Sequence, residues 1–138
     1  MLKKTIVYTD YNGNERKETF YFNFTQAELT DMNLSVQGGY QSWIRQIIDT
    51  QNVPEIAKIF KKIIYDSYGE KSSDGRRFIK SKELSEAFAQ TEAYSKLYME
   101  LATDAKAAAD FVNGVMPAEL VKAAEESNLI EGGLAKNE

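Results

Sequence analysis

Whatever chemistry this chain does, it does without histidine or cysteine. Neither residue occurs among its 138 positions. That removes the commonest general base, the commonest metal ligand, the thiolate nucleophile and any disulfide framework. Catalysis would fall to paired carboxylates, a Ser–Lys pair or a metal held by oxygen atoms. Glu83, Glu86, Glu92, Glu100, Asp104 and Asp110 are spread along helix-forming stretches. None belongs to a Glu-x-x-His pair and no second motif marks an oxygen-rich metal site, so these acids read as solvated helix faces. Gly69-Glu70-Lys71-Ser72 carries the Gly and the Lys-Ser of a phosphate loop. That motif needs a second Gly directly before the Lys, where Glu70 stands, and it follows a strand, whereas this segment follows a helical pattern. No catalytic, cofactor-binding or metal-ligating residue is assigned, no cofactor is expected, and an enzyme is the weakest reading.

Binding chemistry is better represented. Asp74-Gly75-Arg76-Arg77 sets an acid and two guanidinium groups in a turn, flanked by Phe78 and Ile79. The planar guanidinium fork matches carboxylates in two-pronged geometry and is enriched at interfaces. The competing reading is an ordinary solvated turn, with Arg76 or Arg77 paired to a nearby Glu for little net energy. Phe88, Tyr94, Tyr98 and Phe111 form an aromatic series at helix-like spacing. Most such stripes pack inward, but any part left exposed is binding surface, to which Met99 and Met116 would add adaptable contact area. The candidate protein-binding residues are Arg76, Arg77, Phe78, Tyr94 and Tyr98.

The elements that must position these residues follow from periodicity and caps. Residues 3–24 read as a β-hairpin. Thr5 to Thr9 are β-formers, Thr19 to Phe24 is an aromatic strand, and Asn12-Gly13-Asn14 supplies the turn. Phe20, Phe22 and Phe24 share one face. A two-residue loop sets Val7 and Thr5 beside them, and a three-residue loop sets Ile6 and Leu2 there. That face must be covered by helices or by another chain. Thr25 and Glu28 form a capping box for a short helix to about Leu34. Tyr40, Trp43, Ile44, Ile47 and Ile48 make one helical stripe. Ile56, Ile59, Phe60, Ile63 and Ile64 make another, with Pro54 in its first turn and Tyr68-Gly69 as its C-terminal stop. A polar loop is expected over Glu70–Arg77. Ser81, Thr91 and Thr103 or Asp104 then cap three further helices, the last closed by Asn113-Gly114, and Pro117 opens a final one to about Glu126. The expected fold is mainly α with an N-terminal β-hairpin (α+β), a compact helical domain of about six helices. It forms one domain over residues 1–126, with a flexible tail at 127–138.

Seventeen basic and twenty-one acidic residues leave a net charge of −4, which argues against bulk nucleic-acid binding. The N-terminus lacks a signal-peptide core and no apolar run approaches the ~20 residues that cross a bilayer. The expected location is the cytoplasm, with no membrane partner.

The stretches Asp74-Gly75-Arg76-Arg77-Phe78 and Gln90-Thr91-Glu92-Ala93-Tyr94 form a distinctive pair. With Thr9-Asp10-Tyr11-Asn12-Gly13 and Thr19-Phe20-Tyr21-Phe22-Asn23 they give the chain a family likeness over about residues 1–117. It resembles the short tail assembly chaperones of long-tailed, siphovirus-type bacteriophages. The resemblance implies a non-catalytic assembly factor of the host cell cytoplasm, absent from the mature virion. Such a factor binds the tape measure protein and keeps it soluble while the tail tube assembles. It also implies the tail tube protein and a frameshifted longer form of the same chain as further partners. The aromatic second strand independently suggests weak homo-oligomers by strand addition. The competing classes are a structural tail or head–tail connector component of the virion and a small inhibitor of a host protein.

Overall fold

The computed structural model of the chain describes residues 1–31 and 53–117. Strands β1 (Leu2–Thr9) and β2 (Glu15–Phe22) form the N-terminal hairpin. In its turn the Asp10 amide donates to the Asn14 carbonyl at 2.8 Å and the Gly13 amide to the Asp10 carbonyl at 3.0 Å. Gly13 takes φ +84°, the left-handed position that closes a three-residue loop. Asp10 Oδ1 accepts from the Asn12 and Asn14 amides, each at 2.9 Å. This loop sets Leu2 opposite Phe22, Lys4 opposite Phe20 and Ile6 opposite Glu18. Of the two registers open in the sequence, it is the one that puts Ile6 and Leu2 on the aromatic face. Ile6, Tyr8, Phe22 and Phe24 are buried, while Lys3, Thr5, Val7 and Thr9 lie exposed on the opposite face.

The aromatic face is covered by the chain's own helices. The capping box forms as expected at the start of α1 (Gln26–Asp31): the Glu28 amide donates to Thr25 Oγ1 at 3.1 Å and the Thr25 amide to Glu28 Oε1 at 2.9 Å. Helix α2 (Val53–Ser67) has Pro54 in its first turn. It buries Phe60, Ile63 and Ile64 and exposes Lys58, Lys61 and Lys62.

Gly69 is not the helix stop expected of it. Left-handed φ occurs at Gly13 and Gly75, and Gly69 lies in strand β3 (Tyr68–Lys71), where Tyr21 pairs with Gly69 and Phe22 with Tyr68. Carbonyls at the end of α2 find other partners, as a helix terminus requires. The Ser67 carbonyl accepts from the Asn23 amide at 2.8 Å, and the Tyr65 carbonyl from Ser85 Oγ at 2.8 Å. Glycine is required at 69 for room, since a Cβ there would lie 2.7 Å from the Phe78 ring and 2.8 Å from the Ile79 carbonyl oxygen. Strand β4 (Phe78–Ile79) returns along β3, so the expected polar loop is a second hairpin. The result is a four-stranded antiparallel sheet in the order β1-β2-β3-β4.

Helices α3 (Lys82–Ala89), α4 (Glu92–Thr103) and α5 (Ala105–Val115) follow, with Ser81, Thr91 and Asp104 as N-caps. Asp104, rather than Thr103, supplies the third cap, accepting from the Lys106 and Ala107 amides at 3.0 and 3.1 Å. Asn113-Gly114 does not close α5, which runs on to Val115. The small residue at 114 lies under Leu2, whose Cδ1 would be 2.9 Å from a Cβ there. Helices α4 and α5 lie against β1, α2 packs on α4, and α3 contacts β3. The exit of the first hairpin and the end of α5 are tied directly, by the Phe24 amide donating to the Val115 carbonyl at 2.8 Å. The fold is α+β, with five helices among the described residues against about six expected. The helix expected through Tyr40–Ile48, the last helix beyond Pro117 and the tail at 127–138 lie outside the described residues.

Candidate protein-binding surface

The turn between β3 and β4 is built by side chains that hold its backbone and leave its cations free. Ser72 Oγ donates to Asp74 Oδ1 at 2.7 Å, and the same carboxylate oxygen accepts from the Arg76 amide at 3.1 Å. The Arg77 amide donates to Ser72 Oγ at 3.0 Å, and Gly75 takes φ +75°. The Ser72 hydroxyl and the Arg76 amide hold the Asp74 carboxyl below its ordinary value. Asp74 thus serves the turn, and neither Arg76 nor Arg77 has an ion-pair partner among the described residues. Both are exposed, and Phe78 beside them is half-buried against the Gly69 backbone. Lys80, just beyond β4, anchors the hairpin. Its ammonium donates to the Asn23 carbonyl and to Glu28 Oε2, each at 2.6 Å, and lies 4.8 Å from the Phe24 ring centroid.

Tyr94 and Tyr98 stand one turn apart on α4, half-buried, with ring centroids 5.9 Å apart. Tyr94 meets Phe88 edge-on at 5.9 Å, Phe88 meets Phe22 at 5.7 Å, and Phe22 meets Phe111 at 5.2 Å. A line of rings therefore runs from the core to the α4 surface. Phe88 and Phe111 belong to its buried part, as an inward stripe requires, and the two tyrosines to its outer end. Burial and then the neighbouring Tyr98 push the Tyr94 phenol up. The ring contacts do not extend to Phe78, so the structure brings Arg76, Arg77 and Phe78 together at one hairpin and Tyr94 with Tyr98 on one helix, as two separate patches. Met116 is buried and adds no contact area, whereas Met99 is exposed.

A third feature was not legible in the sequence. Between β1 and α4 runs an open groove of ≈ 620 Å³, with Val7, Lys96 and Met99 in its lining. Its wall is the outer edge of β1, which carries no strand among the described residues. The sequence points instead to β2 as the free strand. The structure places β2 between β1 and β3 and leaves β1 at the edge. The residue pattern alone does not fix which strand lies inside a sheet, because that depends on the distant β3.

Comparison with family models supplies the wider setting. The model described as phage tail assembly chaperone matches residues 1–137. The chain belongs to that family. Comparison with curated proteins and with solved structures finds no match. As a tail assembly chaperone it takes part in building the bacteriophage tail in the infected cell, in a chaperone's role rather than an enzyme's. No helix of the chaperone among the described residues is long and apolar enough to cross a membrane. Among the same residues no three acids lie close enough to hold a metal ion. Among the described residues the cationic hairpin tip, the tyrosine pair and the β1 groove all reach the surface.

Proposed function

We propose that this chaperone binds the tape measure protein of its own phage in the host cytoplasm and keeps it soluble while tail tube subunits assemble around it. The observation that carries the reading is the family match over residues 1–137, and the surface chemistry supports it. Arg76 and Arg77 are free to pair with carboxylates of a client. Phe78, Tyr94, Tyr98 and Met99 offer rings and a flexible thioether to its apolar segments. Contacts of this kind adapt to varied apolar partners, which suits a long client with many segments. The tail tube protein and a frameshifted longer form of the chain are the further partners of this reading, with weak self-association and absence from the finished virion.

Co-expression with the tape measure protein tests it. The expected result is transfer of the tape measure protein from the pellet to the soluble fraction and its co-purification with the chaperone. A tape measure protein that stays insoluble would overturn the reading. Finding the chaperone as a stoichiometric part of purified virions would replace it with a structural role.

A further inference from the structure

We propose that the groove between β1 and α4 receives an extended, carboxylate-bearing segment of a partner protein, which adds to the outer edge of β1 as a further strand of the sheet. Antiparallel pairing alternates, so residues of β1 that bond to β2 are separated by residues whose backbone groups point away. Lys3, Thr5, Val7 and Thr9 are the outward set. The Val7 carbonyl marks that side by accepting from Lys96 Nζ of α4 at 2.8 Å. The same alternation turns Tyr21 of β2 toward Gly69 of β3. A ready-made ladder of donors and acceptors thus lines one wall of the groove.

The opposite wall is α4, contributing Ser95, Lys96, Met99, Glu100 and Thr103. An added strand would rest alternate side chains on this wall and on the open sheet face, the arrangement by which strand addition combines backbone affinity with side-chain selection. Met99 and Val7 are 54% and 43% exposed and are two of only four large apolar side chains so exposed among the described residues. One stands on each side of the edge.

Charge decides the occupant. Glu100 is already paired with Lys4 at 2.8 Å. The partner found for Lys96 is a neutral carbonyl, so the lining sets two lysines, Lys4 and Lys96, against the single acid Glu100. The groove is therefore cationic in a chain of net charge −4. Lys96 holds the acceptor that an incoming amide would take, and on release it can pair with an incoming carboxylate. A second copy of β1 fits less well, since it would bring two further lysines and no acid. The identity of the partner rests on the function proposed above, which makes the tape measure protein the source of the segment.

The experiment uses the full chain labelled for amide NMR and peptides tiling the tape measure protein of its own phage. The expected result is an acidic peptide that slows exchange of the Thr5 and Val7 amides and shifts Lys96 and Met99. Val7→Pro removes an outward donor while sparing the ladder to β2, and Lys96→Glu reverses the charge without touching the strand. Each should weaken that peptide about tenfold or more, and Lys96→Glu keeps the test decisive where Val7→Pro does not fold. If no peptide protects Thr5 and Val7, or if protection appears with rising protein concentration alone, the proposal is overturned. Solubilisation of the tape measure protein without protection at β1 would sink the groove and spare the function. A peptide seated at β1 by a chain that fails to solubilise would do the reverse.

Discussion

The rings of Tyr68 and Phe88 lie face to face, their centroids 4.4 Å apart and their planes within 7° of parallel. Tyr68 opens β3 and Phe88 comes from α3, so the stack fastens the second hairpin to the helix that follows it. Phe88 also meets Phe20 at 4.9 Å, Phe22 at 5.7 Å and Tyr94 at 5.9 Å. Phe88→Ala should therefore cost about 3–5 kcal/mol in urea unfolding, because a cavity opens where several rings meet. Phe88→Leu should cost less. A loss below about 1 kcal/mol for the alanine variant would mean that the rings close over the gap.

Gly69 and Gly114 should respond in opposite ways to alanine. At 69 the added Cβ meets a backbone oxygen at 2.8 Å, and the backbone there is fixed by pairing with Tyr21. At 114 it meets the Leu2 side chain, and the one contact under 3.0 Å is with its terminal Cδ1, which can turn aside, while alanine is the better helix former by about 1 kcal/mol. Thermal melts should show Gly69→Ala clearly destabilised and Gly114→Ala near wild type. Equal losses at both positions would show that the Leu2 contact is as rigid as the β3–β4 pairing.

Acid should loosen the junction between β4 and α1. Burial raises the pKa of the Glu28 carboxyl, but the Lys80 ammonium and the Thr25 amide outweigh it and leave the value below its ordinary one. Stability from a depressed carboxyl is present above the unfolded-state value and is lost as pH falls through the folded-state value. The Lys80 and Glu28 side chains are 21% and 36% exposed, so solvent screens the pair and its worth is about 1 kcal/mol or less. Stability measured against pH should show Lys80→Met destabilised near neutrality, with the difference from wild type shrinking in acid. A difference that grows in acid would contradict this.

The hairpin tip separates client binding from folding. Arg76 and Arg77 are exposed and hold nothing with their guanidinium groups among the described residues, so replacing both by Glu should shift stability by no more than about 0.5 kcal/mol. The same double variant should recover less tape measure protein in the soluble fraction on co-expression. Undiminished recovery would remove the tip from the binding surface and leave the tyrosine patch and the β1 groove.

Local features were the legible ones. Thr25, Ser81, Thr91 and Asp104 each cap a helix through atoms within three residues, and Asn12-Gly13-Asn14 marks a turn by its own backbone preference. What was misread depends on partners far along the chain. Gly69 comes two residues after a helix and looks like its stop, yet its role is set by Phe78 and by Tyr21 of the first hairpin. Gly114 looks like a terminator until Leu2 is seen lying across it. The tip residues Arg76 and Arg77 could be singled out by type, but their freedom from ion pairs became visible only once Asp74 was found holding the turn. The exposure of Val7 hung on a register that the spacing left between two values.

The bond from the Phe24 amide to the Val115 carbonyl orders events during synthesis. A ribosome releases the aromatic hairpin early, but the rings that cover it come from Tyr68, Phe88 and Phe111, the last near the other end of this unit. Such contacts between distant positions slow folding and prolong the exposure of apolar surface. The nascent hairpin is not fully covered until Phe111 and Val115 have cleared the exit tunnel. A chain cut short of those residues would be not a smaller chaperone but a client for one.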